Sequence, residues 1–552
     1  MSDKNPFPYL ACLENETFRW ILIIGLGIVI FFSNISGWDL WNPDEPRYAQ
    51  VAKEMVETGE FIVPHLNGDI YPDKPPIFFW IIAAFSILLG GFSEVSVRLP
   101  SALSAILIIA LTYKFGKKLF NSQAGLFSAL ILATNVEFFW LGRRANIDMT
   151  LTLFIFLSFY FYYLGYIGGK REKVYYMLFY FFMGIATLTK GPVGFIIPLL
   201  SIFSFLILNR DIKAFAKSYP VAGFAVFFLV ILVWLIPACI KGGEAYTHEI
   251  LFKQTVSRYT TGWSHQRPFY YYFINFPADF APWIILIPWA IYYFYFVNPE
   301  VRKNSEFKFC FAWFVATFIF FSLSSGKRNL YLLPAYPAIT LLLGYFIDRS
   351  IATGQNIFFK QPFYLLGILF IILGMGGGIL SFLLDYQVLD IPVSLTPCSL
   401  LIFGILGFLG GVFMMVVVGK NLNLLSFYTG IGLLTLTIVF TVFSVLPKIN
   451  RVKSPKFLGE KIVSLVKRED KLIKYRYEGA GVNYYTGINR IKDVKTPEKL
   501  IEILEKEKNI YCLIRKRHYD FIQKKHKISS NLKIVDEYRI GHRKILIVTN
   551  KL

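Results

Sequence analysis

Apolar stretches of about 17 to 25 residues alternate along this chain with short polar segments, the pattern of helices long enough to cross a bilayer. Thirteen such runs stand out, at 18-37, 97-116, 122-141, 148-168, 174-190, 192-209, 219-240, 278-298, 307-324, 329-347, 362-384, 398-419 and 424-446. A further run, 77-91, is ambiguous, because its length is close to the roughly 10 to 14 residues of segments that do not span. The charges between the runs decide it. If 77-91 crosses, the loops carrying Lys117-Lys118, Lys170-Arg171-Lys173, Arg210-Lys213-Lys217 and Arg302-Lys303-Lys308 all lie outside, against the positive-inside rule. If it stays on the outer surface as an interfacial or re-entrant helix, those loops become cytoplasmic, with Arg349 and Lys420. The expected fold is therefore an all-α polytopic membrane bundle of about 13 transmembrane helices with outer-face juxtamembrane helices, the N-terminus inside and the tail outside.

Beyond Pro447 the pattern changes to charged and β-branched. Helical patterns at Pro455 to Arg468 and Thr496 to Lys508 alternate with the strand-like runs KLIKYRY, NIYCLIRK and KIVDEYRI/RKILIVTN, the last pair meeting around Gly541-His542. Residues 1-446 are thus expected to form the membrane module and 447-552 a small α/β periplasmic domain that docks an acceptor or caps the bundle.

Composition narrows the function. The chain is 55% hydrophobic and 18% aromatic, which fits a lipid-embedded bundle with aromatic belts. A net charge of +21 falls mainly between the apolar runs and in the tail, where it orients the protein, so nucleic-acid binding is not expected. The five cysteines are scattered, without disulfide or zinc spacing. No phosphate-cradling glycine loop occurs, and no internal repeat of the kind a secondary transporter would show. The first sixteen residues lack a small-residue cleavage site, so the first apolar run reads as a retained anchor.

Against this background Trp38 to Pro76 is a polar island. Asp44 and Glu45 open a helical pattern, with Pro46 suited to a first turn and Val51, Met55 and Val56 suited to a membrane surface. Taken alone, the acidic pair is better read as an N-cap and a first-turn carboxylate favoured by the helix dipole. Arg47 follows one turn later, and Asp73 beside Lys74 adds a second mixed pair. Carboxylates and cations at a lipid boundary are costly unless they pair or work. The topology also sends Arg143-Arg144 with Asp148, Lys190, the loop 241-277, Ser324 to Asn329 and the tail to the same outer face as the first loop, 38-91. Lys327 and Arg328 read equally well as phosphate ligands or as headgroup anchors at a span end, and Lys190 admits the same anchor reading.

The series WNPDEPRYAQVAKEM, GEFIVPHLNGDIYPDKPP, RLPSAL at 98-103, RRANIDMTL at 143-151, LTKGP at 188-192, SRYTTGWSHQRPFYYY and GKRNLYLLPAYPA at 326-338 resembles, in order, the lipid A aminoarabinose transferases and their protein O-mannosyltransferase relatives in the glycosyltransferase C superfamily. The resemblance covers about 450 residues and fades in the tail. It implies an enzyme of the bacterial inner membrane that transfers a sugar from a polyprenyl (undecaprenyl) phosphate donor, with inversion, to lipid A or another cell-envelope glycolipid. Protein Ser/Thr is the alternative acceptor. By the same resemblance Asp44 is the base, with Glu45 and Asp148 as acceptor or sugar contacts. Arg47, Lys74 and Arg258 then neutralise the leaving phosphate, Arg267 rivals Arg258, Tyr331 donates a hydrogen bond, and Lys327 is a further donor-site candidate. Aromatic residues of 270-277 and 78-80 are expected along the isoprenoid chain. No cofactor is assigned; a divalent metal ion between Asp73 and His265 is weighed, although one histidine in a polar loop is more often not a ligand. Of the different-class alternatives, a secondary transporter would gather its polar residues at the midplane. A non-catalytic lipid-binding relative would be expected to lack Asp44 or the phosphate cations.

Overall fold

The structure, a computed structural model, describes residues 15–251, 266–353, 356–385, 397–467, 469–526 and 532–551. Each of the thirteen expected runs is helical among the described residues. By length and composition eight helices can cross a membrane alone, or up to ten if each of two bent pairs is one span. Two of the remainder are simply short: α1 (Glu16–Phe32) has 17 residues and the helix Val193–Leu208 has 16. One bent pair, α5 (Ser122–Ala133) and α6 (Val136–Gly142), turns by 68°. The break has a local cause, since the Asn135 side chain caps α6 by accepting the Phe138 N–H at 2.9 Å.

Between α1 and the next long helix, α4 (Glu94–Leu119), the chain builds a module of two short helices and a hairpin. α2 (Asp44–Thr58) ends at Gly59, whose φ of +71° suits glycine. Strands β1 (His65–Leu66) and β2 (Asp69–Ile70) pair antiparallel around Asn67 and Gly68, both with positive φ. α3 (Ile77–Leu88) has 12 residues. At 1.5 Å per residue it is about 18 Å long, well short of a hydrocarbon core of about 30 Å. It buries Phe78, Phe79, Ile82 and Ala83 against the module and leaves Ile87 and Leu88 exposed. That is the form expected of the ambiguous run as a non-crossing helix.

The tail forms a five-stranded sheet in the order β4-β3-β5-β7-β6. β3 (Lys471–Tyr475) pairs parallel with β4 (Lys492–Val494) and β5 (Ile510–Arg515). β6 (Lys533–Ile540) and β7 (Arg543–Thr549) form the antiparallel hairpin whose turn is Gly541-His542. The helices Lys456–Leu465 and Pro497–Lys506 stand where the sequence patterns place them. The helix Ala480–Thr486, the strand β4 and the helix Lys516–His526 are additions.

This sheet domain is tied to the first-loop module by polar contacts. Asn67 is the centre: its side chain donates to Ile491 O at 3.0 Å and accepts the Ile491 N–H at 2.8 Å and the Asn483 amide at 2.9 Å. The Tyr485 hydroxyl accepts the Leu40 N–H at 2.7 Å, and Asn450 Nδ2 donates to Asp39 Oδ2 at 2.8 Å. The tail and the first loop therefore sit together at one end of the bundle.

Candidate active site

Asp44 is the first residue of α2 and is buried. It does not cap the helix: the N-cap position is Pro43, with no side-chain cap bond. Its two oxygens go instead to guanidinium groups, Oδ1 to Arg47 one turn later and Oδ2 to Arg328 Nη2 at 2.8 Å. Burial by itself would raise its pKa, but Arg328 and Arg47, with Arg144 behind them, outweigh it and hold the carboxyl at about 2.

Glu45, expected to touch acceptor or sugar, has a different task. Its side chain is fully buried and every contact is with protein. Arg98 Nε donates to Oε1 at 2.8 Å and Arg144 Nε to Oε2 at 3.3 Å. The Trp41 and Ala145 N–H groups add bonds of 3.0 and 3.1 Å. Burial again raises the carboxyl pKa, and Arg98 with Arg144 lowers it further than burial lifts it. Arg98, fully buried in α4, also donates to Ile35 O, Trp38 O and Asp39 O at 2.7, 2.9 and 2.7 Å. Arg143 donates to Ile30 O and Ser33 O, and both Arg98 and Arg143 lie over the Trp38 ring. Glu45 is the hub that fixes the loop carrying Asp44, which explains a carboxylate with no room for a ligand.

Asp148 is in the first turn of α7 (Ile147–Tyr166), where Asn146 caps the helix. Its carboxylate pairs with Lys190 at the end of α8 (Glu172–Lys190), and the Lys190 ammonium lies 4.2 Å from the centre of the Tyr331 ring. Lys327 is buried and donates to Ser324 O and, at 3.0 Å, to Arg267 O. It ties two loops together rather than reaching headgroups, while its neighbour Arg328 serves Asp44. Arg267 is exposed, with its guanidinium 6.0 Å from the Tyr271 ring centre.

Some of these groups line a cavity of about 370 Å³, namely Asp44, Arg144, Arg267, Lys327 and Arg328, together with Glu137, whereas Glu45, Asp148, Lys190 and Tyr331 are not in its lining. Glu137 is half-buried there and carries no hydrogen bond or ion pair with any described residue. Arg47 and Asp73 face away from it, into a larger cleft beneath the tail domain, and Lys74 lines neither space among the described residues. Lys74 is buried and donates to Asp73 O at 2.9 Å. Arg258 and His265, and with them the expected grouping of Arg47, Lys74 and Arg258 and the metal pair of Asp73 with His265, lie outside the described residues. Among the described residues no group of three or more His, Cys, Asp or Glu side chains is placed to hold a metal ion.

Two carboxylates, Asp44 and Glu45, thus stand among four guanidinium groups, from Arg47, Arg98, Arg144 and Arg328. The cavity lining itself carries the carboxyl groups of Asp44 and Glu137 against four cations, Arg144, Arg267, Lys327 and Arg328, a positive surplus that favours an anionic ligand. Sequence reasoning left Arg98, Arg144 and Glu137 without a role and Arg328 undecided. The motifs RLPSAL, RRANIDMTL and GKRNLYLL did mark three of these positions.

A family model described as dolichyl-phosphate-mannose-protein mannosyltransferase matches residues 73–236, which include Lys74, Arg98, Arg144, Asp148 and Lys190. An uncharacterized protein of Aquifex aeolicus is 30% identical over 334 residues, 60% of this chain and 64% of its own length. The undecaprenyl phosphate-alpha-4-amino-4-deoxy-L-arabinose arabinosyl transferase of Edwardsiella ictaluri is 26% identical over 362 residues, 65% of this chain and 64% of its own. The chain spans just under two thirds of the length of these curated relatives. Among solved structures, ArnT from Cupriavidus metallidurans bound to undecaprenyl phosphate superposes with a TM-score of 0.78 at 18% identity, over 97% of this chain and 98% of that one. The archaeal oligosaccharyltransferase AglB from Archaeoglobus fulgidus gives a TM-score of 0.54 at 11% identity, over 93% and 70%. The resemblance seen in the sequence holds in the fold.

Proposed function

We propose, for a chain that shares its fold with ArnT and its sequence pattern with the aminoarabinose transferases, that it transfers a sugar from a polyprenyl phosphate to an acceptor at the outer face of the inner membrane. The observation that carries this reading is Asp44, a buried carboxylate held between two guanidinium groups at the wall of a cavity with a positive surplus. The acceptor oxygen attacks the anomeric carbon, the bond from that carbon to the phosphate oxygen breaks, and polyprenyl phosphate departs with the electron pair and the charge. A hydroxyl acceptor gives its proton to Asp44; a phosphate acceptor is already ionised and is only oriented.

A carboxyl held at about 2 is a weak proton acceptor. It becomes a useful base when the donor phosphate draws Arg47 or Arg328 away from it, so that donor binding arms the site. In this reading the N-terminus lies inside and the tail domain in the periplasm, which the charge balance of the loops supports. The match to the mannosyltransferase model favours protein Ser/Thr as the second reading of the acceptor. The test is transfer by purified protein in proteoliposomes, offered undecaprenyl-linked sugars together with lipid A or a Ser/Thr peptide, with products read by mass spectrometry. Absence of product on both acceptors overturns the proposal.

Two results are expected within it. Lys74, bonded to Asp73 O and lining neither space among the described residues, belongs to the donor site on the sequence resemblance alone; if it does, Lys74→Ala should weaken binding of undecaprenyl phosphate by about tenfold, the scale of one charge-assisted bond to phosphate, in a direct binding assay. Unchanged affinity removes Lys74 from the donor site. Glu137 is an uncommitted carboxylate in a cavity whose other charged groups are paired or cationic, which fits a donor sugar bearing an amine. Glu137→Gln should therefore lower kcat/KM for an amino-sugar donor by about tenfold while sparing a neutral hexose donor, since a lone carboxylate contact is worth roughly 1.5 kcal/mol or more. Equal losses on both donors argue against the amine.

A further inference from the structure

The larger space in this molecule is a cleft of about 1380 Å³ between the tail domain and the first-loop module. Ten of its lining side chains are Lys or Arg and five are Asp or Glu. Some of the bases have protein partners: Lys471 and Lys492 share Glu507, and Arg490 pairs with Asp69 at 3.6 Å. The side chains of Lys453, Lys474, Arg515 and Arg543 have no hydrogen bond or ion pair with any described residue.

The sheet register puts three of these on one face. Lys474 of β3 stands beside Leu513 of β5, Arg515 is two residues on from Leu513, and it stands opposite Ile545 of β7, two residues from Arg543. Leu513 and Ile545 belong to the core cluster of Leu458, Ile462 and Val482, so the face is the one covered by the helices Lys456–Leu465 and Ala480–Thr486, the second of which packs on α2. The cations therefore look toward the bundle and not away from it. Lys474 is buried, with Asp493 as its neighbour on β4, and Arg515 Nε and the Tyr477 hydroxyl are buried without a partner. A buried ammonium beside two partly exposed guanidinium groups, with an unpaired buried N–H and hydroxyl, is costly unless an anion completes them. Repulsion makes the cost larger: burial and then Arg543 and Arg517 lower the pKa of Arg515.

The position of the cleft says which anion. Arg47 lines the cleft and Asp44 lines the smaller cavity, and their ion pair forms the partition between the two spaces. A molecule lying in the cleft would present an end to Asp44 from the side opposite the 370 Å³ cavity. We propose that this cleft is the acceptor's docking site, and that Lys474, Arg515, Arg543 and the Tyr477 hydroxyl hold a phosphate group on a glycolipid headgroup. The inference rests on the transfer reading above. Its volume exceeds the roughly 300 to 1,000 Å³ of ordinary ligand pockets and so admits a headgroup of more than one sugar.

The experiment reads binding, so it stands whether or not transfer occurs. Full-length protein in nanodiscs is titrated with a diphosphorylated glucosamine disaccharide lipid, with its dephosphorylated form, and with inorganic pyrophosphate. Arg515→Gln with Arg543→Gln should weaken binding of the phosphorylated lipid by about tenfold or more, as loss of charge-assisted bonds requires, and leave undecaprenyl phosphate binding unchanged. Arg515→Lys with Arg543→Lys, which keeps both charges, should recover most of the affinity and shows that the fold is intact. Equal binding of the phosphorylated and dephosphorylated lipids overturns the proposal. So does binding of pyrophosphate alone, which would make this a site for soluble phosphate, and so does an unchanged affinity in the Gln pair.

Discussion

Asp44→Asn is expected to lower transfer by about 100- to 10,000-fold, the range of a positioned acid or base, while donor binding persists. The asparagine keeps the shape and removes the charge. Arg47 and Arg328 lose their partner but are only partly buried, at 26% and 29% side-chain exposure, so water can serve them and the fold should hold. Their freed charge should if anything tighten undecaprenyl phosphate, and a variant that binds donor as well as the parent but turns over at the parent's rate would remove Asp44 from the chemistry. The pH dependence follows from the same contacts. The carboxyl sits at about 2, below its ordinary 3.8, so its contribution to stability is complete above about 4 and is lost as pH falls through 2. Between pH 5 and 9, in round figures, Asp44 stays ionised, and any limb seen there in free enzyme belongs to another group. A limb near pH 6 to 7, by order of magnitude, that appears only with donor bound would be the mark of Asp44 released from its guanidinium partners.

How much of this could be read from the residues alone depends on whether a residue's partner is near in sequence. The run 77-91 could be read as a short helix because length and flanking charge are local properties. Four of the five described strands of the tail, all but the short β4, were legible for the same reason, down to the turn at Gly541-His542. The bend between α5 and α6 was hidden: Asn135 is one polar residue within an apolar run, and only the Phe138 N–H it accepts shows that it ends one helix and starts another. Lys327 and Arg328 are adjacent and identical in charge. The structure separates them, with Lys327 on two backbone carbonyls and Arg328 on Asp44, a carboxylate 284 positions away. Asp44 and Glu45 were likewise a pair in sequence and are opposites in space, the first at a cavity wall and the second sealed in protein. Local pattern gave the acids as a helix start, and Pro43 at the N-cap shows that neither is needed there as a cap.

The sealed carboxylate leads to the second large effect, on stability. Arg98→Ala should destabilise the protein by about 3 to 5 kcal/mol, the cost of breaking a buried ion pair from one side, seen as a lowered unfolding temperature in detergent and as loss of transfer together. Glu45 would keep a single cation, Arg144 at 3.3 Å, beside the Trp41 and Ala145 N–H groups, for a charge with no access to water. Replacing a buried pair by apolar residues of similar size is often neutral, so Glu45→Leu with Arg98→Met would be expected to recover stability if the pair were merely a pair. Arg98 also serves the carbonyls of Ile35, Trp38 and Asp39, and the apolar double variant leaves all three buried without their donor. At about 1 to 3 kcal/mol for each orphaned group, the double variant should remain destabilised. Arg98 is then a clamp on the loop that aims Asp44, and Glu45 is what keeps the clamp closed. Full recovery in the double variant would show instead that the loop holds itself.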